Sequence, residues 1–171
     1  MRIRVLLVLL LLAVSGCGYH LSGGEEDRLP EGVRVICIPM FANRTMEPFL
    51  ENVVSNAVMR RFSRALHVEV VEDPQKADAV LEGVITNYHS DASSYYGSKD
   101  QIVEYKAVME CEATLRSTKD KRVIWKGGAS WNQEYQASPD RVLEESREEQ
   151  AQNEIARYLA DELFNRLTEN F

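Results

Sequence analysis

The sequence predicts an α+β domain: a mixed, largely antiparallel β-sheet with two main helices packed on one face. Three observations predict it. Residues 33–39 form an apolar, β-branched run that is soon followed by helical periodicity. Residues 105–116 alternate between two faces, one apolar and one largely charged, the pattern of an antiparallel strand with one dry face. Residues 151–167 carry a long apolar stripe at helical spacing.

Each element has its own justification. Residues 33–39 are continuously apolar after Arg34, as expected of a central strand covered on both faces. A polar loop of Phe41, Ala42, Asn43, Arg44 and Thr45 leads to Leu50, Val53, Val54, Ala57 and Val58, spaced i, i+3, i+4, i+7, i+8. This is an amphipathic helix of about 18 residues, with Glu47 and Pro48 suited to its first turn. Residues 67–72 read as a second strand, broken at Asp73 and Pro74, and a third opens at Ala79 and reaches about as far as Tyr88. Residues 88–100 are then a long loop. In the fourth strand Tyr105, Ala107, Met109, Cys111, Ala113 and Leu115 face the core, and Lys106, Glu110, Glu112 and Arg116 face water. A tight turn at 117–121 begins a fifth strand, in which Val123, Trp125, Gly127, Ala129 and Trp131 share a face. Both tryptophans read as packing against a helix rather than as platforms for a ligand. Gly127 and Gly128 mark a bulge or a close approach. Ser138, Pro139 and Asp140 supply the cap, the first position and a dipole partner for the last helix. Its buried stripe is Ala151, Ile155, Leu159, Leu163 and Leu167 with Tyr158, whereas 144–150 is nearly all polar and expected to be solvated or frayed.

The chain has 171 residues, and its first part is not domain sequence. Arg2 and Arg4 precede an apolar run at 5–14, too short to span a bilayer, and Ser15, Gly16 and Cys17 follow it. This is the pattern of a bacterial lipoprotein signal, cleaved between Gly16 and Cys17. The Cys17 thiol then carries a diacylglyceryl group and its amine an acyl chain. Each buried CH₂ adds about 0.8 kcal/mol, so several chains anchor the protein in a membrane permanently. The sequence thus divides into a signal peptide at 1–16, a lipidated cysteine and flexible tether at 17–32, and one α+β domain at 33–171. The tether assignment rests on Gly23, Gly24, three successive acids and Pro30. Removing Arg2 and Arg4 from 20 basic residues leaves 18 against 27 acidic, a net charge of −9 for the processed chain. That balance argues against nucleic acid as a partner.

Cys37 and Cys111 both fall in apolar strand sequence and read as two separate buried thiols, with a mutual disulfide as the alternative. His20, His67 and His89 are scattered, and no ligand spacing suggests a metal site or a cofactor beyond the covalent lipid. No Gly-x-Ser-x-Gly elbow or enclosed carboxylate pair supports catalysis.

Several stretches resemble one family, the lipopolysaccharide-assembly lipoproteins (LptE). They are Cys17-Gly18-Tyr19-His20-Leu21-Ser22-Gly23, Leu29-Pro30-Glu31-Gly32-Val33, Ile38-Pro39-Met40-Phe41-Ala42-Asn43-Arg44-Thr45 and Ala77-Asp78-Ala79-Val80-Leu81-Glu82-Gly83. The resemblance implies a monomeric domain, lipid-anchored in the outer membrane on its periplasmic side or inside a barrel lumen. Its partner there is a large LptD-like β-barrel that inserts lipopolysaccharide into the outer leaflet, and it acts as plug, assembly aid and lipopolysaccharide-binding element. A polar compact domain is a sensible occupant of so wide a lumen.

Two local features suit contacts. Tyr95 and Tyr96 in the 88–100 segment suit a hairpin tip docking on a partner, with a solvated loop as the alternative. Arg116, Lys119, Lys121, Arg122 and Lys126 form the densest basic cluster, and Lys121, Arg122 and Lys126 could meet lipid A phosphates; the alternative is a solvated turn. A rival reading is an envelope lipoprotein of the curli-secretion or penicillin-binding-protein-activator type, which shares a strand, a loop like 41–45 and a helix.

Overall fold

A computed structural model describes residues 28–96 and 101–169. The signal peptide, Cys17 and most of the tether lie outside the described residues. The elements are β1 (Val35–Cys37), β2 (Ala42–Asn43), α1 (Leu50–Phe62), β3 (Glu69–Val71), β4 (Ala79–Tyr96), β5 (Gln101–Ser117), β6 (Val123–Gln136) and α2 (Arg141–Glu169). The sheet order is β3-β1-β4-β5-β6, with β2 pairing β4. Strands β1, β2, β3 and β4 run parallel where they pair, and the long β4, β5 and β6 are antiparallel. This is the predicted α+β class, with both helices on one face of a mixed sheet. Among the described residues no helix is long and apolar enough to cross a membrane.

Strand β1 is central, as its apolar run requires. It lies between β3 and β4, with Ile36 fully buried in the helix-side core and Cys37 buried as well. Ala107, Met109, Cys111, Ala113 and Leu115 of β5 are all buried, which confirms the dry face. The helices meet edge-to-face through Phe62 and Phe164, ring centroids 5.0 Å apart, with the Arg61 guanidinium over the Phe164 ring and bonded to Asp161 at 2.9 Å. Trp125 is buried, and Trp131 stacks on Tyr158 of α2 at 4.4 Å, so both tryptophans pack toward a helix. Cys37 and Cys111 are free thiols, as the first of the two alternatives had it.

Several boundaries differ from the sequence reading. Helix α1 has 13 residues and starts at Leu50, because Pro48 disfavours helical geometry before it and Phe49 takes a left-handed φ of 67°. The second strand contracts to three residues. Residues 88–96, expected in a loop, are strand: β4 runs 18 residues to Tyr96. The reason is a β-bulge between Ile85 and Asn87, which shifts the core-facing phase from 79, 81, 83 and 85 to Tyr88, Ser90 and Ala92. A second bulge at Ile124 places Val123 opposite Arg116 rather than on the face of Trp125, and Ile124 packs against the core instead. The cap of α2 is Asp140, not Ser138: its Oδ1 accepts from the Val142 and Leu143 amides at 2.9 and 3.4 Å. Residues 144–150 are solvated but helical, held by Arg147 Nη1, which donates to the Gln136 and Ala137 carbonyls. Packing also begins before Val33. Leu29 and Pro30 are buried, and Pro30–Gly32 form a 3₁₀ turn, so the end of the expected tether belongs to the domain.

Candidate functional site

The predicted basic cluster sits at the end of the sheet where β1 and β4 begin and β5 turns into β6. The turn is closed by Ser117 N donating to Arg122 O at 2.9 Å and Lys121 N to Ser117 O at 3.1 Å, with Lys121 at a φ of 61°. Thr118 ties it to the start of β4, its hydroxyl donating to the Ala77 and Asp78 carbonyls at 2.6 and 2.8 Å. Asp78 Oδ2 in turn accepts from the Val35 and Arg34 amides at 3.1 and 3.2 Å, and those bonds hold its carboxyl below the usual range. Arg122 forms a two-pronged pair with Glu31 at 2.8 and 2.6 Å, which lowers the Glu31 pKa. Lys126 pairs with Glu112 at 3.4 Å and Arg116 with Glu82 at 3.7 Å. Lys119 and Lys121 have no carboxylate within 4.0 Å among the described residues. With Lys76 they line an open cavity of about 520 Å³, together with Ala77, Asp78, Val80 and Thr118. Three lysines against the one ionised carboxylate of Asp78 leave this cavity net positive, which suits an anionic, phosphate-bearing ligand.

At the far end, Tyr88 joins β4 to α2. Its hydroxyl donates to Glu148 Oε1 at 2.7 Å and accepts from Gln152 Nε2 at 3.2 Å, and burial pushes its pKa upward. Gln152 Nε2 also donates to Glu47 Oε1 at 3.2 Å, so the loop before α1 belongs to the same network. Asn43 fixes that loop: its Nδ2 donates to Glu47 O and Glu51 Oε2, and its Oδ1 accepts from the Thr45 amide and hydroxyl. Met46 and Phe49 stand exposed on it. Beyond Tyr88, a cleft of about 590 Å³ opens between Ser94, Ile102 and Val103 on the hairpin, Ala137 and Pro139 ahead of α2, and Glu144 in the first turn of α2.

This arrangement, a lone mixed sheet with a very long β4–β5–β6 meander and a long terminal helix, matches a known family. The family model described as LptE, lipopolysaccharide-assembly, matches residues 33–167. The chain belongs to the LptE family. Solved structures agree on the LptE fold: uncharacterized lipoprotein B from Nitrosomonas europaea, 14% identical, superposes with a TM-score of 0.59 over 89% of this chain and 91% of that one. The rare lipoprotein B from Shewanella oneidensis, 12% identical, gives a TM-score of 0.54 over 80% and 95%. A hypothetical protein from Chlamydia trachomatis, also 12% identical, gives 0.56 over 80% and 96%. No curated protein sequence matches the chain.

Within the LptE fold the predicted contact residues separate. Lys121 lines the cavity, whereas Arg122 and Lys126 are each engaged by an acid of the same domain. Lys76 joins Lys121 across 45 positions of sequence, and no local spacing signals it; the antiparallel pairing of β4 with β5, which sets Ala79 opposite Ser117, brings the 74–76 turn to the 117–121 turn. Tyr95 is exposed at the far end of β4, on a strand rather than in a loop, and Tyr96 is opposite Gln101. Among the described residues there is no group of three His, Cys, Asp or Glu side chains placed to hold a metal.

Proposed function

We propose that this LptE-family chain is an outer-membrane lipoprotein, cleaved after Gly16 and lipidated at Cys17, that forms a complex with a large LptD-like β-barrel. It serves there, without catalysis, as plug and assembly aid for insertion of lipopolysaccharide into the outer leaflet. The family match over 33–167 behind a lipoprotein signal carries this reading. The charged open face of the sheet, with Glu82, Lys106, Glu110, Glu112 and Lys126, supports it, because a barrel lumen is polar. Direct binding of lipopolysaccharide through lipid A phosphates is part of the proposal, with Lys121, Lys119 and Lys76 as contacts. Glu31 is bonded to Arg122 in that same turn, which ties the segment ahead of β1 to the basic end. Affinity purification of the tagged lipoprotein from detergent-solubilised outer membranes, with mass spectrometry, is the test. A near-stoichiometric large β-barrel is the expected companion. Recovery of the chain only as a self-associated ring, or with a cell-wall synthase, would reject the proposal in favour of the curli-secretion or synthase-activator reading.

A further inference from the structure

Strand β4 is paired on its outer side only near its start, by β1 at Ala79 and Val80 and by β2 at Val84 and Ile85. The last bond there is Arg44 N donating to Ile85 O at 3.1 Å. From Thr86 to Tyr96 no strand among the described residues pairs with that outer side. Two bulges, at Ile85/Asn87 and Ala92/Ser94, bracket a regular stretch, Asn87 to Ala92, of about 20 Å. Alternation sets which groups are bare. Gly128 O accepts from Arg166 and so faces away from β5; its partner Glu112 therefore turns toward β4, Met109 toward β6, and Tyr88, Ser90 and Ala92 outward. Their amides and carbonyls form an unpaired ladder, with no lysine or proline in the stretch to blunt it. The opposite edge differs, since Arg166 occupies the Gly128 carbonyl and α2 packs along β6.

We infer that this edge of β4 accepts an extended segment of the β-barrel partner as an added strand, which rests on the barrel reading above. A strand is the occupant that fits. Alternating donors and acceptors on a straight line match another backbone, not an anion or an acyl chain, and β2 already occupies the same edge as a two-residue strand of this chain. Exposed apolar residues occur toward both ends of the bare stretch. Met46 and Phe49 follow Arg44 at one end, in a loop fixed by Asn43, and Tyr95 marks the other.

Hydrogen exchange on the full lipoprotein, alone and in its purified complex, tests this. The amides of Tyr88, Ser90 and Ala92 should exchange freely in the lone protein and slow by roughly tenfold or more in the complex. Ser90→Pro removes one outward amide without touching the β4–β5 ladder and should strip the barrel from the complex, whereas Ser90→Ala, which loses only the hydroxyl bonded to Tyr135, should retain it. A barrel that co-purifies while the three amides exchange unchanged overturns the strand inference and leaves the barrel reading intact. Absence of any barrel overturns both. Protection already present in the lone protein, or appearing on self-association, assigns the edge to this chain itself and also overturns the inference. If Ser90→Pro fails to fold, the exchange of the wild-type amides decides alone.

Discussion

Lys121 and Arg122 are adjacent in sequence and opposite in circumstance. Arg122 is held by Glu31 in a two-pronged pair, and a cation so engaged must lose a carboxylate before it can gain a phosphate. Lys121 lines the basic cavity with Lys119 and Lys76 and faces no such exchange. Combined Lys119→Glu and Lys121→Glu substitution should therefore weaken binding to purified lipopolysaccharide by roughly tenfold or more at low salt, with a smaller effect as salt rises, in a fluorescence titration. Lys126→Ala should change binding little; an equal loss would mean the whole cluster acts as a diffuse charge. Asp78 has the converse role, since its carboxylate serves the fold. Asp78→Ala leaves the Val35 and Arg34 amides without that acceptor and should cost about 1 kcal/mol in urea unfolding, the partial exposure of the group reducing the full value. Because its folded pKa is depressed, that contribution is present above pH 4 and should fade as acid protonates it.

At the scale of elements, one close approach explains why two of the family-like segments occur together. Gly83 faces the core on β4, and the ring of Phe41, buried ahead of β2, lies where a Gly83 side chain would begin. Gly83→Ala should destabilise the domain by about 2 kcal/mol through overpacking, and Phe41→Ala by about 3 to 5 kcal/mol through loss of a buried ring. The double variant should cost less than the sum, because the alanine at 83 then grows into the space the ring leaves; strict additivity in thermal unfolding would refute the contact. Phe49 shows how a local rule yields to its neighbours. A bulky residue at a φ of 67° is strained, yet it starts α1 because Asn43 holds Thr45 and Glu47 in a turn and Pro48 bars an earlier start. The sequence pattern of α1 was legible at Leu50, Val54 and Val58, all fully buried, and its start was not, since that depends on the Asn43 contacts. The same holds for β4. Its alternation could be followed through Ile85, and the bulge that resets the phase to Tyr88 leaves no mark in composition.

For the whole molecule, the parts that could be read were those whose burial repeats along one element: the dry face of β5 and the stripe of α2 are both as the periodicity of 105–115 and 151–167 requires. The cavity at the basic end could not be read, because Lys76 and Lys121 are joined by sheet topology and not by spacing. The single core also binds the molecule's stability to high pH in a definite direction. Burial pushes the Cys111 thiol up to about 12 and the Tyr135 hydroxyl up to about 12, and raises Cys37 and Tyr88 as well. In the unfolded chain these groups ionise near their ordinary values, about 8.5 for cysteine and 10 for tyrosine. Between those values and the folded ones the native state keeps protons that the unfolded state has released, so stability must fall as pH rises. Each group held fully out of step contributes up to about 1.4 kcal/mol per pH unit. Urea midpoints measured from pH 7 to 11 should hold steady to about pH 8.5 and then decline, more steeply above 10 as the tyrosines join. Cys111→Ala should flatten the part of the decline that begins below pH 10, at some cost in stability at neutral pH. An unchanged slope would show that the Cys111 thiol ionises as readily in the folded protein as in the unfolded chain.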